Sequence, residues 1–179
     1  MQACVFFDRD GIVNRAPTSR YVERREDFHI LPGFLDTLEQ VIRQGYVAVI
    51  VTNQKGVSTG ATPLEELHAM HAMICDHAEA KGLSVLDILY CDAPDEGHPR
   101  RKPNPGMLLE AAEKHALDLE HSWMIGDNEK DVIAGQRAGC RTIFVGTKAL
   151  KTTPTHQVAD MDELAAKVAS LIPPAPERS

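Results

Sequence analysis

The chain has 179 residues, of which 43% are hydrophobic and 25% charged, the size and composition of one globular domain with a substantial core. No apolar run reaches the roughly 20 residues of a membrane-spanning helix, and the formal net charge of -7 argues against a general nucleic-acid binder, which would carry a basic face. The four cysteines follow no paired pattern and the first apolar run starts at residue 3, so we expect a cytoplasmic protein with no signal peptide and no membrane partner.

The first predicted strand ends at two acids. Residues 3–7 form an unbroken apolar run, typical of a strand buried on both faces of a parallel sheet, and Asp8, Asp10 and Gly11 follow it. In extended backbone, side chains two residues apart point to the same side, so both carboxylates are expected to face one crevice. Two like charges so close are costly unless a metal, a positive substrate group or a shared proton offsets them. Taken alone, the pair also fits a turn cap with a chance neighbour.

Helices are predicted on either side of the second strand. Residues 15–29 are polar, show no period and are predicted to be a loop. Over residues 32–44 the apolar positions have the spacing of an amphipathic helix, which Gly45 ends. Further on, Thr62 and Pro63 carry the capping signal of a long helix that runs to about residue 81.

The second strand also ends in polar residues. Residues 46–51 are apolar and lead directly into Thr52, Asn53 and Gln54. Polar side chains therefore appear for a second time at the point where a buried strand stops. A third strand is predicted over residues 85–90, after the long helix.

A basic pair stands before the next predicted helix. Arg101 and Lys102 precede Asn104 and Pro105, which can cap and open a helix over residues 106–115. The backbone N–H groups and the dipole at a helix N-terminus favour an anion. A phosphate near Lys102 would suit this position, although a solvated basic pair in a loop fits the sequence equally well.

The fourth strand is followed by further acids. Residues 122–125 are predicted as a short strand that stops at Asp127, and Asp131 lies about one helical turn later on the same side. The remaining predicted elements are a helix ending at Gly139, a strand over residues 141–145 and a helix over residues 164–172 with caps at Asp160 and Glu163. Residues 173–179 are proline-rich and are predicted to be a flexible tail.

Strands that alternate with helices predict the α/β class, with a central parallel sheet, right-handed crossovers and helices on both faces. We expect residues 1–172 to form one domain. Ligands of such sheets bind outside the carboxyl ends of the strands, which is where the polar residues described above are expected to meet. Carboxylates there can hold Mg²⁺, while a hydroxyl, an amide and a lysine can hold phosphoryl oxygens.

The order of these residues resembles one enzyme superfamily. The runs Asp8-Arg9-Asp10-Gly11, Val51-Thr52-Asn53, Lys102-Pro103 and Gly126-Asp127-x-x-x-Asp131 are similar to the motifs of phosphatases of the haloacid dehalogenase (HAD) superfamily. Within it, residues 7–11, 52–54 and 101–108 and the Tyr21-Val22 loop resemble the D-glycero-D-manno-heptose 1,7-bisphosphate phosphatases. This resemblance implies a Rossmann-like HAD fold and removal of the 7-phosphate of a heptose bisphosphate, in the route to activated heptose for bacterial surface polysaccharide.

The resemblance also implies a catalytic role for five residues. Asp8 would attack phosphorus and form an aspartyl phosphate. Asp10 would protonate the leaving sugar oxygen and then, as a base, activate the hydrolytic water. Thr52, Asn53 and Lys102 would stabilise charge on the transferring phosphoryl oxygens.

Metal and substrate ligands are implied in the same way. Mg²⁺ would be held by Asp8, the backbone carbonyl of Asp10 and Asp127. Asp131 would support these ligands from behind them or through a water molecule. The substrate-binding residues would be Gln54, Arg101 and Asn128, and Arg101 would bind the second phosphate.

Two departures from the family pattern matter. The related phosphatases commonly carry a Cys-x-His then Cys-x-Cys zinc loop, but here only Cys91 is present and residue 93 is alanine, so no structural zinc is expected. No interval between the motifs is long enough for a separate cap domain. We therefore expect an open site, covered only by the loops at residues 15–29, 55–62 and 92–100.

The sequence leaves three alternatives. A histidinol-phosphate phosphatase would act on a cationic amine, and the positively charged Arg101 suits such a substrate less well than a second phosphate. A nucleic-acid 3′-phosphatase is disfavoured by the acidic balance and by the lack of an aromatic, basic strand-binding groove. A non-catalytic sugar-phosphate binding protein would be expected to lack Asp8 or Asp10, and both are present. We expect a monomer that acts on a small sugar bisphosphate and not on nucleic acid.

Overall fold

Six parallel strands form one sheet in the computed structural model, which describes residues 1–177. The strands are β1 (Gln2–Phe7), β2 (Val47–Asn53), β3 (Asp87–Cys91), β4 (Leu117–Gly126), β5 (Arg141–Val145) and β6 (His156–Val158). Their order across the sheet is β3-β2-β1-β4-β5-β6, and each neighbouring pair is parallel. The chain therefore starts in the middle of the sheet, where β1 is paired on both sides.

Helices cover both faces of this sheet. They are α1 (Pro32–Arg43), α2 (Lys55–Ser58), α3 (Leu64–Glu79), α4 (Gly106–His115), α5 (Glu129–Ala138) and α6 (Met161–Leu171), and a 3₁₀ turn occupies Arg25–Asp27. Apolar residues of α1, α3 and α6 pack in one core cluster, and those of α4 and α5 pack in a second cluster on the other face. The predicted α/β class with a helix-covered parallel sheet is confirmed.

The apolar run of β1 is explained by these two layers. Val5 and Phe7 belong to the cluster under α1, α3 and α6, whereas Cys4 and Phe6 belong to the cluster under α4 and α5. Because successive side chains of a strand point to opposite faces, a strand covered on both sides needs apolar residues at every position. The run can end only where the strand leaves the core, which is at Asp8.

Several predicted boundaries are wrong. Strand β6 was not predicted, since three residues carry too little periodicity, and β4 begins at Leu117 because its first residues pair with the start of β1. The predicted loop over residues 55–62 contains the short helix α2. The last helix starts at Met161, three residues before the predicted start at residue 164, and Asp160 caps it: the Asp160 carboxylate accepts from Glu163 N at 2.8 Å.

Two predicted helix caps do not form. The side chain of Thr62 makes no cap bond to α3, and its hydroxyl donates instead to the carbonyl of Val22 at 3.4 Å. Asn104 does not cap α4 either, because its amide donates to the carbonyl of His98 at 3.0 Å. Both side chains hold a neighbouring loop, which sequence spacing alone cannot distinguish from a cap.

The chain after α6 returns to the sheet. Tyr46 donates its hydroxyl to the carbonyl of Pro173 at 2.9 Å, and Ala175 N donates to Gln44 O at 2.8 Å. The flexibility predicted for residues 173–179 stays a prediction, and residues 178 and 179 lie outside the described part of the chain. None of the helices within residues 1–177 has the length and apolar content to span a bilayer.

We expect Phe34→Ala to lower the free energy of unfolding by about 3–5 kcal/mol, the usual cost of removing a buried phenylalanine. Phe34 is fully buried, and its ring lies 5.3 Å from that of Phe7 in an edge-to-face arrangement. Urea denaturation measures this change. Leu109→Ala, at a residue that is 46% exposed, should cost less than about 0.5 kcal/mol; similar losses for both variants would contradict the packing described here.

Candidate active site

Polar side chains meet in one cavity at the carboxyl edge of the sheet. Strands β1, β2 and β4 end at Phe7, Asn53 and Gly126, and the residues that follow or close these strands turn into a common space. The cavity has a volume of about 170 Å³ and is lined by Asp8, Asp10, Thr52, Asn53, Lys102, Asp127, Asn128, Lys130 and Asp131. Of the residues predicted for the site, Gln54 and Arg101 do not line it.

Three carboxylates in this cavity form an acidic cluster. Asp8, Asp127 and Asp131 each offer an oxygen that lies within 4.8 Å of the other two. Asp8 and Asp131 are almost fully buried, with 9% and 2% of their surface exposed. The carboxylate of Asp10 is not part of this cluster, so of Asp10 only the predicted backbone carbonyl remains a candidate ligand.

Lys102 is the cation of the cluster. Its buried ammonium donates to Asp8 Oδ1 at 2.6 Å and to the carbonyl of Val51 at 2.8 Å, and it pairs with Asp131 Oδ1 at 2.7 Å. Burial opposes the charge, but the Asp131 and Asp8 carboxylates outweigh burial and raise the pKa of Lys102 above its usual value. The lysine therefore stays protonated and links β1 to the start of α5.

One ammonium does not balance three carboxylates. Burial, followed by repulsion from Asp131, raises the pKa of Asp8 to about 8, although Lys102 acts in the opposite direction. The same two causes raise the pKa of Asp127 to about 6. The cluster thus has spare negative charge and hard oxygen donors, which fits a divalent cation such as Mg²⁺.

Asp10 is held by a separate set of partners. Its carboxylate accepts hydrogen bonds from the side chains of Arg9, Asn14 and Gln54, with donor–acceptor distances of 2.9 to 3.1 Å. Asp8 and Asp10 therefore line one cavity but contact different cations, Lys102 for Asp8 and Arg9 for Asp10. This separation relieves the repulsion that makes two neighbouring carboxylates costly.

Asn53, the last residue of β2, and Gln54, which follows it, bond to other residues of the site. Asn53 Oδ1 accepts from the backbone N–H of Lys102 at 3.0 Å, and Asn53 Nδ2 donates to the carbonyl of Lys102 at 2.9 Å. These two hydrogen bonds fix the backbone position from which the Lys102 side chain reaches the cluster. Gln54 is 3% exposed, and its amide donates both to Asp10 and to the hydroxyl of Thr52.

The start of α5 brings Asp127, Asn128 and Asp131 together. The Asn128 side chain accepts from Lys130 N at 3.2 Å, and Asp131 Oδ2 accepts from Asn128 N at 3.0 Å, which completes a capping box. One carboxylate, Asp131, therefore both closes the helix and pairs with Lys102. The predicted position of Asp131 one turn into the helix agrees with this arrangement.

Arg101 does not line the cavity. Its guanidinium donates to the carbonyl of Ala93 at 3.3 Å, and only 8% of the residue is exposed. The sulfur of Cys91, at the end of β3, lies 3.7 Å from Nδ1 of His98 in the following loop. The loop over residues 92–100 is held at its base by Asn104, whose amide donates to the carbonyl of His98.

Sequence reasoning missed three residues of the site. Lys130 lines the cavity, and its ammonium lies 3.5 Å from the Glu96 carboxylate. Arg9 and Asn14, which hold Asp10, are fully buried. The sequence signal for Arg9 was its place between Asp8 and Asp10, but the sequence does not show that this arginine is buried.

Two glycines allow the carboxylates to approach. A Cβ atom at Gly11, where φ is +92°, would lie 2.1 Å from Asp127 Oδ2. A Cβ atom at Gly126 would lie 2.3 Å from Cβ of Asp131. Neither position can take a larger residue without moving an acid of the cluster.

Comparisons with known proteins point to one family. A model of the HAD-hydrolase-like family matches residues 99–171. A Pseudomonas putida protein named D-glycero-beta-D-manno-heptose-1,7-bisphosphate 7-phosphatase is 34% identical over 173 residues, which cover 94% of this chain and 98% of that protein. A Photorhabdus laumondii protein named as the alpha-anomer 7-phosphatase is 32% identical over 160 residues, covering 84% of this chain and 86% of that one.

A solved structure agrees with these relatives. The D,D-heptose 1,7-bisphosphate phosphatase from B. bronchiseptica, complexed with magnesium and phosphate, superposes with a TM-score of 0.83 at 27% identity. The match covers 95% of this chain and 99% of that protein. Similarity over nearly the whole length of both chains means that the sheet and its helices are shared, and not only a local motif.

Without a divalent cation, we expect the contribution of Asp8 and Asp127 to the stability of the protein to fall as pH rises from about 4 to about 8. The pKa values of Asp8 and Asp127, about 8 and about 6, lie above the value near 3.9 of an unfolded aspartate, so the folded state binds more protons in this window. Thermal melting in EDTA measures this change. The Tm of the unmodified protein minus the Tm of Asp127→Asn should be larger at pH 5 than at pH 7. The rise in Tm caused by Mg²⁺ should increase with pH, and a rise that shrinks with pH would contradict the charge imbalance.

We expect Gly11→Ala to weaken the effect of Mg²⁺ on Tm, because the new methyl group would displace the Asp127 carboxylate. Gly60→Ala is the matched control: Gly60 also has a positive φ, +76°, but no atom lies within 4 Å of its Cβ position. The control should show only backbone strain, about 1 kcal/mol, with an unchanged response to Mg²⁺. Equal cation responses in the two variants would show that the close approach of Gly11 to Asp127 is unimportant.

Proposed function

The chain belongs to the HAD-like phosphatases, in the family of the D-glycero-D-manno-heptose-1,7-bisphosphate 7-phosphatases, and we propose that it removes the 7-phosphate of such a heptose bisphosphate. The observation that carries the proposal is the acidic cluster with Lys102. It presents a carboxylate, Asp8, at the end of β1, in a cavity that also contains a second, separately held carboxylate, Asp10.

We infer that Asp8 is the nucleophile. One of its oxygens is held by Lys102, so the carboxylate has a fixed orientation toward the cavity. Attack on phosphorus forms an aspartyl phosphate while the bond to the sugar oxygen breaks, which replaces one difficult displacement by two easier ones. Lys102 and Thr52 stabilise the charge of the transferring phosphoryl oxygens, and Asn53 contributes by fixing the backbone of Lys102.

Asp10 supplies the proton transfers in this mechanism. It protonates the leaving sugar oxygen in the first step and, as a carboxylate, takes a proton from the hydrolytic water in the second. Its position in the same cavity as Asp8 but outside the acidic cluster supports this division of roles. Asn128 remains a proposed substrate contact, since it lines the cavity.

Asp8, Asp127 and the backbone carbonyl of Asp10 are the proposed ligands of Mg²⁺, and Asp131 supports them. When bound, Mg²⁺ would neutralise the spare charge of the cluster and of the phosphoryl group. The donor set consists of hard oxygens, which suits this ion. Zinc has no proposed role, because the loop over residues 92–100 brings only Cys91 and His98 together and a tetrahedral site needs four ligands.

The second phosphate of the substrate needs a cation outside the acidic cluster. Arg101 stays the predicted contact, and its Nη1, which donates to the carbonyl of Ala93, would have to turn toward the ligand. Lys130 is a further cation at the cavity wall, 43% exposed at its side chain. The monomeric state and the cytoplasmic location stay predictions.

We expect Mg²⁺-dependent phosphate release, with the highest kcat/KM for one anomer of the heptose 1,7-bisphosphate. Both anomers belong in the test because relatives named for each are similar to this chain. The assay compares the two anomers with histidinol phosphate and a 3′-phosphorylated oligonucleotide. Asp8→Asn and Asp10→Asn serve as controls: they should keep the fold, as measured by circular dichroism, and lose turnover.

Each other outcome has a defined meaning. A preference for histidinol phosphate or for the oligonucleotide would leave the phosphatase chemistry intact but refute the heptose assignment. Substantial turnover by folded Asp8→Asn would refute the assignment of Asp8 as the nucleophile. Absence of release from every substrate would refute the proposed function as a whole.

A further inference from the structure

Arg9 is a charged residue that the reaction described above does not use. It is fully buried, and its guanidinium contacts one acid, Asp10: Nη2 donates to Oδ1 at 2.9 Å and to Oδ2 at 3.0 Å, and Nε donates to Oδ1 at 3.1 Å. The guanidinium carbon also lies 5.4 Å from the ring centre of Phe28. Burying an arginine is a poor way to gain stability, since desolvation offsets most of its attraction to Asp10, whose side chain is 27% exposed. The pair is better explained by what it does to Asp10.

Two amides complete the shell around Asp10. Asn14 Nδ2 donates to Asp10 Oδ1 at 3.0 Å, and Gln54 Nε2 donates to Oδ2 at 3.0 Å. Gln54 Nε2 also donates to the hydroxyl of Thr52 at 2.8 Å. The acid is therefore connected through Gln54 to Thr52, a residue of the cavity wall, and cannot rotate without breaking several bonds at once.

The two oxygens of Asp10 are not equivalent in this shell. Each carboxylate oxygen has about two acceptor sites. Oδ1 accepts from three donor atoms, Nε and Nη2 of Arg9 and Nδ2 of Asn14, whereas Oδ2 accepts from two, Nε2 of Gln54 and the Nη2 that it shares with Oδ1. A proton on Oδ2 displaces only this shared bond, so Oδ2 is the oxygen that can take a proton while its anchor to Gln54 is kept.

We propose that Arg9 and Gln54 are positioning residues that hold the Asp10 carboxyl group so that Oδ2 carries the transferred proton. The proposal rests on the phosphatase reaction of the preceding section and deepens it. In the first step Oδ2 gives its proton to the leaving oxygen as the bond from that oxygen to phosphorus breaks and the bond from Asp8 to phosphorus forms. In the second step Oδ2 takes a proton from water as the water oxygen binds phosphorus and the bond to Asp8 breaks.

The backbone around Arg9 adds to this positioning. Its carbonyl accepts from Val13 N at 2.8 Å and from Asn14 N at 3.1 Å, so the turn that carries Asp10 is closed on Arg9 itself. The side chain of Arg9 thus holds the carboxylate of Asp10, and its backbone carbonyl holds the turn that carries Asp10. A displacement of about 1 Å can cost on the order of 100-fold in rate, which is the size of effect expected when the anchor is lost.

The test uses two simple aryl esters that differ in leaving group. Phenoxide is a poor leaving group that needs a proton, whereas p-nitrophenoxide leaves without one, so only phenyl phosphate depends strongly on the acid in the first step. We expect Arg9→Met and Gln54→Met to lower kcat for phenyl phosphate by roughly 100-fold and roughly tenfold, with little change in KM. The first turnover of p-nitrophenyl phosphate should slow much less and appear as a burst before a slow steady state, since base-assisted hydrolysis then limits the rate.

Arg9→Lys separates charge from geometry. A lysine keeps the positive charge but cannot bind both carboxylate oxygens with a fixed fork, so it should restore only part of the loss. Arg43→Met and Gln136→Met are the matched controls: Arg43 forms an exposed pair with Glu39, and Gln136 bonds the carbonyl of Thr153 at the surface. Both controls should match the unmodified enzyme with both esters.

The outcomes decide between positioning and general support of the fold. Equal losses for the two esters in folded Arg9→Met and Gln54→Met, with no burst, would overturn the proposal. If circular dichroism shows that Arg9→Met does not fold, Gln54→Met alone decides by the same criterion. If the unmodified enzyme releases phosphate neither from the two esters nor from the heptose bisphosphate in Mg²⁺, the proposed function fails as well; activity on the esters without activity on the heptose bisphosphate removes the substrate assignment and leaves this inference intact.

Discussion

The active-site region depends on one buried ammonium placed between two buried carboxylates. Lys102 reaches Asp8, which lies 94 residues earlier in the chain, and Asp131 at the start of α5. Without that cation the two acids would face each other in a poorly solvated space, at a cost of several kcal/mol for each uncompensated charge. The loop before α4, the end of β1 and the start of α5 must therefore keep fixed distances. Asn53 contributes to this by binding the backbone of Lys102 on both sides.

The same constraint explains how two neighbouring acids can have different properties. Asp8 and Asp10 are two residues apart, but each has its own cation, supplied by a distant loop for Asp8 and by the adjacent Arg9 for Asp10. Environments that differ in this way are the usual means by which a site obtains a nucleophile and a proton carrier from the same type of side chain. The acidic cluster remains short of positive charge, which leaves it suited to a divalent cation and a phosphoryl group.

Much of the fold followed from the local pattern. The helix over residues 106–115 and the strand over residues 141–145 have the predicted bounds, because buried strands and amphipathic helices are defined by runs and periods of apolar residues. Strand β6 was missed because three residues form a strand only where β5 offers an edge. The caps assigned to Thr62 and Asn104 were wrong for a related reason: the same side chain can bond a helix end or a loop, and only the packed chain decides which is nearer.

The sequence by itself determined which polar residues reach the carboxyl edge of the sheet, since an apolar run must end where its strand leaves the core. It therefore predicted the region that contains Asp8, Asp10, Lys102 and Asp127. Only the tertiary structure decided what each side chain contacts there: Gln54 turns to Asp10, Arg101 to the carbonyl of Ala93, and the Asp131 carboxylate to both Lys102 and the end of α5. The physical reason is that a buried polar group must find a hydrogen-bond partner, and the available partners come from segments distant in sequence.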